Sequence, residues 1–357
     1  MNAPLRHPLV DIARADLDDV KTRARIDAFV RAHDSATPFH LTAWSKAVAA
    51  GCRQTAHYLV AKRANGAIAG LVPLTQIRSR LFGHALVSSG FAVGGGILAD
   101  DDAVAAQLAD AAWALGDKLH CSTVELRGGE VADPRWQNTH GVHAGFSRAL
   151  AADDAAELLA IPRKQRAEVR RALAFDLTVE IGTTQGDRDA HHAVYAQSVR
   201  NLGTPVFPRA LFDEMLDAFA AEADILTVFK QGKPVASVLS LYFNGAVMPY
   251  WGGGTADART WRANDLMYYA LMNHARARGC TRFDFGRSKI GSGAYTFKKN
   301  WGFDPQPLRY AVRTADGAAP REINPLHPQY RLRIALWRRL PLWIANRLGP
   351  PIARGLG

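Results

Sequence analysis

One pattern of strands, glycines and a helix occurs twice along this chain of 357 residues, and it limits the folds available to it. In the first half, strand-like stretches meet at Asn65-Gly66, and a glycine run precedes a helix at about 102–119 and a strand, STVELR. In the second half, strands meet at Asn244-Gly245, and a glycine-rich turn at 252–254 precedes a helix at about 263–278 and a strand, TRFDF. Asn-Gly between alternating strands is a typical hairpin turn. The pattern predicts an α+β unit with largely antiparallel strands.

The two copies also match in detail, because Cys121 and Cys280 stand at equivalent places before the last strand of each. We interpret the match as a duplication; the alternative is a coincidence of common turn residues. The interpretation divides the chain into a first domain over 1–150, a second over 151–315 and a basic, aromatic tail over 316–357.

Charge is the unusual part of the composition. The net charge of +11 and the pI near 9.8 imply an anionic partner, which could be nucleic acid, a phosphorylated donor or an acidic membrane. Three cysteines without metal-ligand spacing indicate neither a disulfide framework nor a metal site. The opening residues MNAPLRHPLVDIARADLDD contain no apolar run for a signal peptide, and no stretch of about 18 apolar residues could span a membrane, so we expect a cytoplasmic protein.

The segment FDFGRSKIGSGAYTFKKNWGF, residues 283–303, combines four glycines with four cations. Glycine lets main-chain N–H groups approach a ligand closely, so the segment predicts a site for an anion. Arg287 is the candidate cation for the donor. Asp284, just before the glycines, is the carboxylate that could orient Arg287 or accept a proton. The alternatives are a glycine-rich surface turn and an aspartate satisfied by backbone N–H groups.

The start of the second-half helix is a further candidate anion site, since a helix amino terminus favours negative charge. Asn264 and Gly253, in the preceding glycine run, are the candidate donor contacts there, although Asp257 or Asn264 could equally be an ordinary helix cap. Tyr250 and Trp251, just before the glycines, could line the acceptor groove or belong to the core.

A basic helix, IPRKQRAEVRRAL, lies between the halves, and its spacing places Arg163, Arg166 and Arg170 on one face. That face could bind a phosphate of the donor or acceptor, or simply be solvated. Arg200, before the loop GTPVFP, is a further candidate substrate contact. The tail mixes tryptophans, leucines and arginines, so it could lie on an anionic membrane or pack back on the first domain. Pro341 should divide its helix.

Together these motifs resemble the GNAT acyltransferase superfamily, and two such units in one chain resemble the Fem-type aminoacyltransferases. The resemblance is most detailed to FemAB-like proteins associated with exosortase (PEP-CTERM) systems. The matching runs are PFHLTAWSKAV, SSGFAVGGGILAD, IPRKQRAEVRRAL, SVRNLGTPVFP, YWGGGTADARTWRANDLMYYALM, the 283–303 segment and RRLPLWIANRLGPPIARGLG.

The resemblance implies two tandem GNAT-like domains with mixed sheets and flanking helices, and an acyl donor as co-substrate without a permanently bound cofactor. Phe297-Lys298 matches the Phe-Lys pair that lies in the transfer channel of Fem-type enzymes, in their last glycine-rich loop. The superfamily's usual acyl-CoA motif is replaced by Arg262-Ala-Asn-Asp-Leu, which weakens acetyl-CoA as donor and leaves aminoacyl-tRNA beside a CoA ester.

We therefore expect direct acyl transfer, without a covalent intermediate, to an amine or hydroxyl of a cell-envelope or exopolysaccharide precursor. Lipid-linked sugars and peptidoglycan-type acceptors fit this class. Lys298 would stabilise the transition state, whereas Cys280 would pack as a small apolar residue. The competing hypothesis is a non-catalytic assembly factor that binds an anionic glycolipid; general RNA binding rests on charge alone.

Overall fold

The computed structural model of the chain describes residues 10–318 and 328–357. The first nine residues and 319–327 of the expected tail lie outside the described residues. The strands in the described part are β1 (Asp11–Arg14), β2 (Thr55–Lys62), β3 (Ile68–Ser79), β4 (Gly83–Ser88), β5 (Leu98–Ala99), β6 (Thr123–Arg127), β7 (Gln137–Thr139), β8 (His143–Ala149), β9 (Thr178–Gly182), β10 (Ala223–Lys230), β11 (Lys233–Phe243), β12 (Ala246–Gly254), β13 (Arg282–Lys289), β14 (Pro305–Pro307) and β15 (Tyr310–Thr314). The helices are α1 (Val20–Ala32), α2 (Thr42–Cys52), α3 (Asp102–Lys118), α4 (Asp154–Ala160), α5 (Arg163–Leu173), α6 (Gln185–Leu202), α7 (Arg209–Phe219), α8 (Ala263–Ala277), α9 (Gly293–Asn300), α10 (Pro328–Arg339) and α11 (Leu342–Ala353).

Two compact units, each with its own sheet, make up the described chain. Unit 1 comprises the described residues of 1–140 and 309–323 together with 354–357, and unit 2 those of 141–308 and 324–353. The sheets are mixed and mostly antiparallel, which confirms the α+β prediction.

The sheet of unit 1 has the order β1-β2-β3-β4-β6-β15-β7, with β5 beside β3. Its parallel pair is β4 with β6; in sequence β4 precedes the short β5 and α3, and β6 follows α3. Helix α3 begins at the cap Asp101, whose carboxylate accepts the N–H of Val104. Its apolar face packs on the sheet, and the core there contains Leu74, Leu86 and Leu108.

The sheet of unit 2 has the order β14-β8-β13-β12-β11-β10-β9. Its parallel pair is β12 with β13, which precede and follow α8 in sequence as β4 and β6 precede and follow α3. Helices α6 and α8 both contact β11 and β12. The core includes Phe146, Phe283, Phe285 and Trp301.

The hairpins of unit 2 form where their turn residues predict them. Gln231 and Gly232 have φ values of 51° and 73°, and Asn244 and Gly245 have 44° and 70°. Positive φ at both central positions is the geometry that matches the twist of antiparallel strands, and asparagine and glycine adopt it at low cost. The sequence-based helices 102–119 and 263–278 are likewise confirmed as α3 and α8.

The tail contributes to both units. Helices α10 and α11, separated at Pro341 as predicted, contact α6 within unit 2. Gly203, at the end of α6, approaches Ile334 of α10 so closely that a Cβ there would lie 2.4 Å from it. Residues 354–357 belong to unit 1. Among the described residues, no helix combines the length and hydropathy that a membrane crossing would need.

Candidate active site

Strands β12 and β13 separate soon after they begin. Their parallel register pairs Ala246 with Arg282 and Val247 with Phe283, although the strands have nine and eight residues. Tyr250 is the extra residue of a β-bulge in β12 opposite β11. The carboxyl-terminal halves of the two strands therefore diverge, and a bulge of the kind often found beside active sites shapes one side of the opening.

A second bulge shapes the other side of the opening. In the pairing of β13 with β8, Asp284 faces Ser147 and Arg287 faces Gly145, so two residues of β13 lie opposite Phe146. Gly286 takes up the bulge with φ of 67°, and its N–H donates to the Asp284 carboxylate at 2.9 Å. Burial raises the pKa of Asp284, and this N–H lowers it in part. The carboxylate is thus held in place and retains affinity for a proton.

Lys298 lies beside this bulge. Its side chain is buried, and Nζ lies 5.5 Å from the ring centroids of both Phe146 and Phe285. Nζ donates to the carbonyl oxygen of Arg287 at 2.9 Å. Burial lowers the pKa of Lys298 to about 8, although the Asp284 charge acts in the opposite direction. The structure therefore brings together Lys298, Asp284 and the main chain of Arg287.

The prediction of a glycine-rich loop at 283–303 is wrong about the secondary structure. The segment is the end of β13, a short turn and helix α9, so Phe297 and Lys298 are helical. Ser292 makes the helix possible because its hydroxyl accepts the N–H of Tyr295 as an N-cap. Phe297 is partly buried, with its ring 6.1 Å from that of Phe285, which places it in an aromatic cluster under the opening.

The glycine run before α8 forms part of a strand and not the expected turn, and its glycines permit close packing. Residues 252–254 continue β12, and a Cβ on Gly253 would lie 2.2 Å from the Ser198 hydroxyl of α6. A Cβ on Gly254 would lie 2.7 Å from Oδ1 of Asn264. Because only glycine permits this approach, β12 can pass close to both helices.

The first turn of α8 lies near the end of β12 and differs from the expected cap. Arg262 precedes the helix in a left-handed conformation, and neither Asp257 nor Asn264 provides a side-chain cap. The Asn264 Oδ1 is buried and has no hydrogen-bond partner among the described residues. Asp265, a residue not considered from the sequence, accepts a hydrogen bond from Gln165 of α5. Burial raises the pKa of Asp265 to about 6.

In the sequence, Gln165 is the residue from which the contact with Asp265 could have been inferred. It occupies a buried position of α5 together with Val169 and Ala172, and the spacing of these three residues marks the face that packs on α8. The remaining face of α5 exposes Arg163 and Arg170, while Arg166 donates to the carbonyl oxygen of Leu159. The basic face is therefore turned to solvent.

Three other sequence candidates make contacts with neighbouring residues. Trp251 is buried, with its ring 5.4 Å from Phe212 of α7, whereas Tyr250 is half-buried and lies edge-on to Trp251. Arg200 donates to the carbonyl oxygen of Arg338 in α10. Their proposed substrate contacts stay predictions.

Covalent catalysis by cysteine is disfavoured. Burial raises the pKa of Cys280, which lowers the fraction of reactive thiolate. Within the described residues, no group of three or more His, Cys, Asp or Glu side chains is arranged for a metal ion. A cavity of about 650 Å³ lies in unit 1, but its ion pair, Lys46 with Asp18, is exposed. At the β12–β13 opening, by contrast, the charged side chain of Lys298 is buried.

Comparison with known proteins defines the fold class. Residues 162–299, which include α5, α8, β13 and Lys298, match the family model described as Acetyltransferase (GNAT) domain. No curated protein matches the chain. The matched residues all lie in unit 2.

Solved structures extend the likeness to the whole chain. The crystal structure of FemX has 15% identity and a TM-score of 0.63, covering 84% of this chain and 96% of FemX. L-PGS from Bacillus licheniformis has 14% identity and a TM-score of 0.55, covering 89% and 97%. A tandem GNAT protein from the clavulanic acid biosynthesis pathway has 12% identity and a TM-score of 0.56, covering 87% and 100%. The chain has a tandem GNAT-like fold, as expected from its sequence.

Proposed function

We propose that this protein is an acyltransferase of Fem type that works at the β12–β13 opening of unit 2. The observation that carries the proposal is the buried Lys298 amine beside the Asp284 carboxylate, where a parallel strand pair diverges. Acyl transfer needs an acceptor for the proton of the nucleophile and stabilisation of the oxyanion. The carboxylate can serve the first need and the buried cation the second. The GNAT domain match covers these residues.

The transfer is direct in this proposal. An amine or hydroxyl of the acceptor attacks the acyl carbonyl carbon, and the bond from that carbon to the donor's sulfur or oxygen breaks. Asp284 takes the proton of the nucleophile, and protonated Lys298 stabilises the oxyanion and protonates the leaving atom. The raised pKa of Asp284 suits a base, and the buried position of Lys298 strengthens its electrostatic effect.

The donor is an anionic activated ester, either a CoA ester or an aminoacyl-tRNA. Asp265 in the first turn of α8 would face a pyrophosphate bound there, and the usual acyl-CoA motif is missing, which favours the second donor. The exposed Arg163 and Arg170 on α5 suit a polyanionic carrier. Arg287, Asn264, Gly253 and Phe297 remain our proposed donor contacts.

The acceptor is a cell-envelope or exopolysaccharide precursor, with Tyr250, Trp251, Arg166 and Arg200 as proposed contacts. The tail exposes Leu332, Leu336, Trp343 and Leu348 together with arginines, a combination that suits contact with an anionic membrane surface. We therefore place the protein at the inner face of the cell membrane. Substituting Trp343 and Leu336 with Glu should abolish flotation with vesicles of anionic lipid, whereas substituting the exposed Val20 with Glu should not.

The function is tested by incubating the purified protein with a membrane extract and either labelled acyl-CoA or labelled aminoacyl-tRNA. We expect label in a membrane-derived product with one of the donors, lost in the Lys298→Met protein. The non-catalytic alternative predicts vesicle binding without product from either donor. That second result, with folded protein, would contradict the proposal.

A further inference from the structure

The last four residues of the chain, 354–357, are bound to unit 1 through their main chain. Gln54 at the end of α2 donates from Nε2 to the carbonyl oxygen of Arg354 at 2.8 Å. Arg127 at the end of β6 donates from Nη2 to the main-chain oxygen of Gly357 at 2.8 Å. Both contacts hold groups that every peptide possesses, so the side chains of the segment are not needed for them.

The two glycines of the segment are required by its surroundings. A Cβ on Gly355 would lie 2.3 Å from the Ser79 hydroxyl, and a Cβ on Gly357 would lie 2.5 Å from Cγ1 of Ile77. Both distances are too short for any side chain. Unit 1 therefore selects a main chain without side chains at alternate positions.

Arg127 gives this selection a strong anchor. Only about 6% of the residue is exposed, and its other donors reach the Glu125 carboxylate and the carbonyl oxygen of Ala92. A buried guanidinium needs acceptors because an unmet donor keeps its full desolvation cost. Removing Gly357 takes one acceptor from a buried cation, and another peptide oxygen can replace it.

We propose that unit 1 contains a peptide-binding site, formed by Gln54, Ile77, Ser79 and Arg127, for segments with glycine at alternate positions. In this structure the chain's own residues 354–357 occupy it. A glycine-containing segment of another polypeptide competes with them for the site. The inference is independent of acyl transfer, since none of these residues belongs to the β12–β13 opening.

The test uses the full-length chain with Gly355→Val, which expels the segment by collision with Ser79. The probe is the fluorescein-labelled pentapeptide Ala-Arg-Gly-Leu-Gly, followed by fluorescence anisotropy. We expect saturable binding to the Gly355→Val chain and binding weaker by about tenfold or more to the wild type, whose site is filled. The matched control is Gly129→Val, because Gly129 is exposed and faces open space. It should behave as wild type.

Two further measurements separate recognition from non-specific adhesion. A pentapeptide with valine at both glycine positions should not bind, and adding Arg127→Met to the Gly355→Val chain should reduce binding by about tenfold or more. The Gly357→Val chain replaces the Gly355→Val chain if the latter does not fold. The proposal is overturned if either chain, shown to be folded by circular dichroism, binds the pentapeptide no better than the Gly129→Val control.

Discussion

Each unit has one parallel strand pair beside a helix, and this pair is closed in unit 1 (β4–β6) and open in unit 2 (β12–β13). In both units a parallel-paired strand is followed by a helix and then by the second strand of the pair. The main-chain N–H groups of Cys121 and Cys280 each donate to the carbonyl oxygen five residues earlier, at 2.9 Å. Counting from the paired residues Thr123 and Arg282, Glu125 occupies the place of Asp284 in unit 2. A carboxylate is thus present at the same position in both units.

The difference comes two residues later, where unit 1 has Arg127 and unit 2 has Gly286. Arg127 joins β6 to the chain beyond β4 by donating to the carbonyl oxygen of Ala92 at 2.8 Å, and it pairs with Glu125 at 2.7 Å. A Cβ on Gly286 would meet nothing within 4 Å. One fold therefore serves as a closed support when an arginine pairs with its carboxylate, and as an open site when a glycine takes the place of that arginine.

The largest effect should come from Lys298→Met. We expect turnover to fall about 100-fold or more, because the transition state loses a buried cation. The fold should persist, since an apolar side chain suits this buried position. Steady-state acyl transfer and thermal unfolding measure the two effects.

The matched control is Lys299→Met, at an exposed neighbouring position, which should keep nearly full turnover. Equal losses in the two variants would show that charge on α9, and not Lys298 itself, matters.

The paired carboxylates should separate activity from stability. Asp284→Asn should lower turnover about 100-fold, because an amide cannot take the proton. Glu125→Gln should leave turnover intact and lower the free energy of unfolding by about 2 kcal/mol, since Arg127 loses a charged partner. Turnover and urea unfolding of both variants provide the readouts. A catalytic loss in Glu125→Gln would break the comparison.

Paired alanine substitutions test whether one strand pair is closed and the other open. In Gly96→Ala, the new Cβ would lie 2.4 Å from the carbonyl oxygen of Arg127, so we expect a loss of about 3 kcal/mol. In Gly286→Ala, only the left-handed φ is strained, and about 1 kcal/mol should be lost. Unfolding midpoints in urea compare them. The reverse order would mean that the β12–β13 opening is filled.

The pH dependence should identify Lys298 as the required cation. Its folded-state pKa of about 8 lies below the ordinary 10.5, so the charged form is lost as pH rises through 8, and turnover should fall above it. Lys298→Arg, which stays charged, should remove this alkaline fall at whatever turnover it retains. Between about 8 and 10.5 the unfolded chain binds more protons, so this group makes unfolding harder as pH rises. An unchanged alkaline limb in Lys298→Arg would assign it to another group.

The smallest effect is expected for Cys280→Ala. The buried thiol with its raised pKa is not a nucleophile, so turnover should change by less than about twofold. Mass spectrometry of the wild type, quenched during turnover, should find no acyl group on Cys280. Acylated Cys280 would contradict direct transfer.

The sequence predicted the parts of the fold that are specified locally. Asn244-Gly245 sets its own hairpin, and the helices carry their own periodic apolar faces. By contrast, β8 and β15 were missed as partners of β13 and β6, because those pairings join residues more than a hundred positions apart. No local pattern encodes such a register.

The sequence predicted which residue types form the candidate site, but the predicted secondary structure was wrong. Glycines at 286, 291 and 293 suggested a loop, but Ser292 caps a helix that carries Lys298 into the core. The glycines at 252–254 were predicted to form a turn, but they belong to β12, where their lack of side chains permits close packing. Arg127 gave no signal, and Asp265 could be inferred only through its partner Gln165, since the importance of both residues depends on partners from distant segments.

The central claim is tested most directly by crystal structures with two unreactive donor analogues, a thioether analogue of acyl-CoA and an amide-linked aminoacyl-adenosine. We predict that at least one binds unit 2 with its acyl end between β12 and β13 and its carbonyl oxygen directed at Lys298 Nζ. An acyl end bound in unit 1 between β4 and β6, or in unit 2 away from Lys298, would contradict the account.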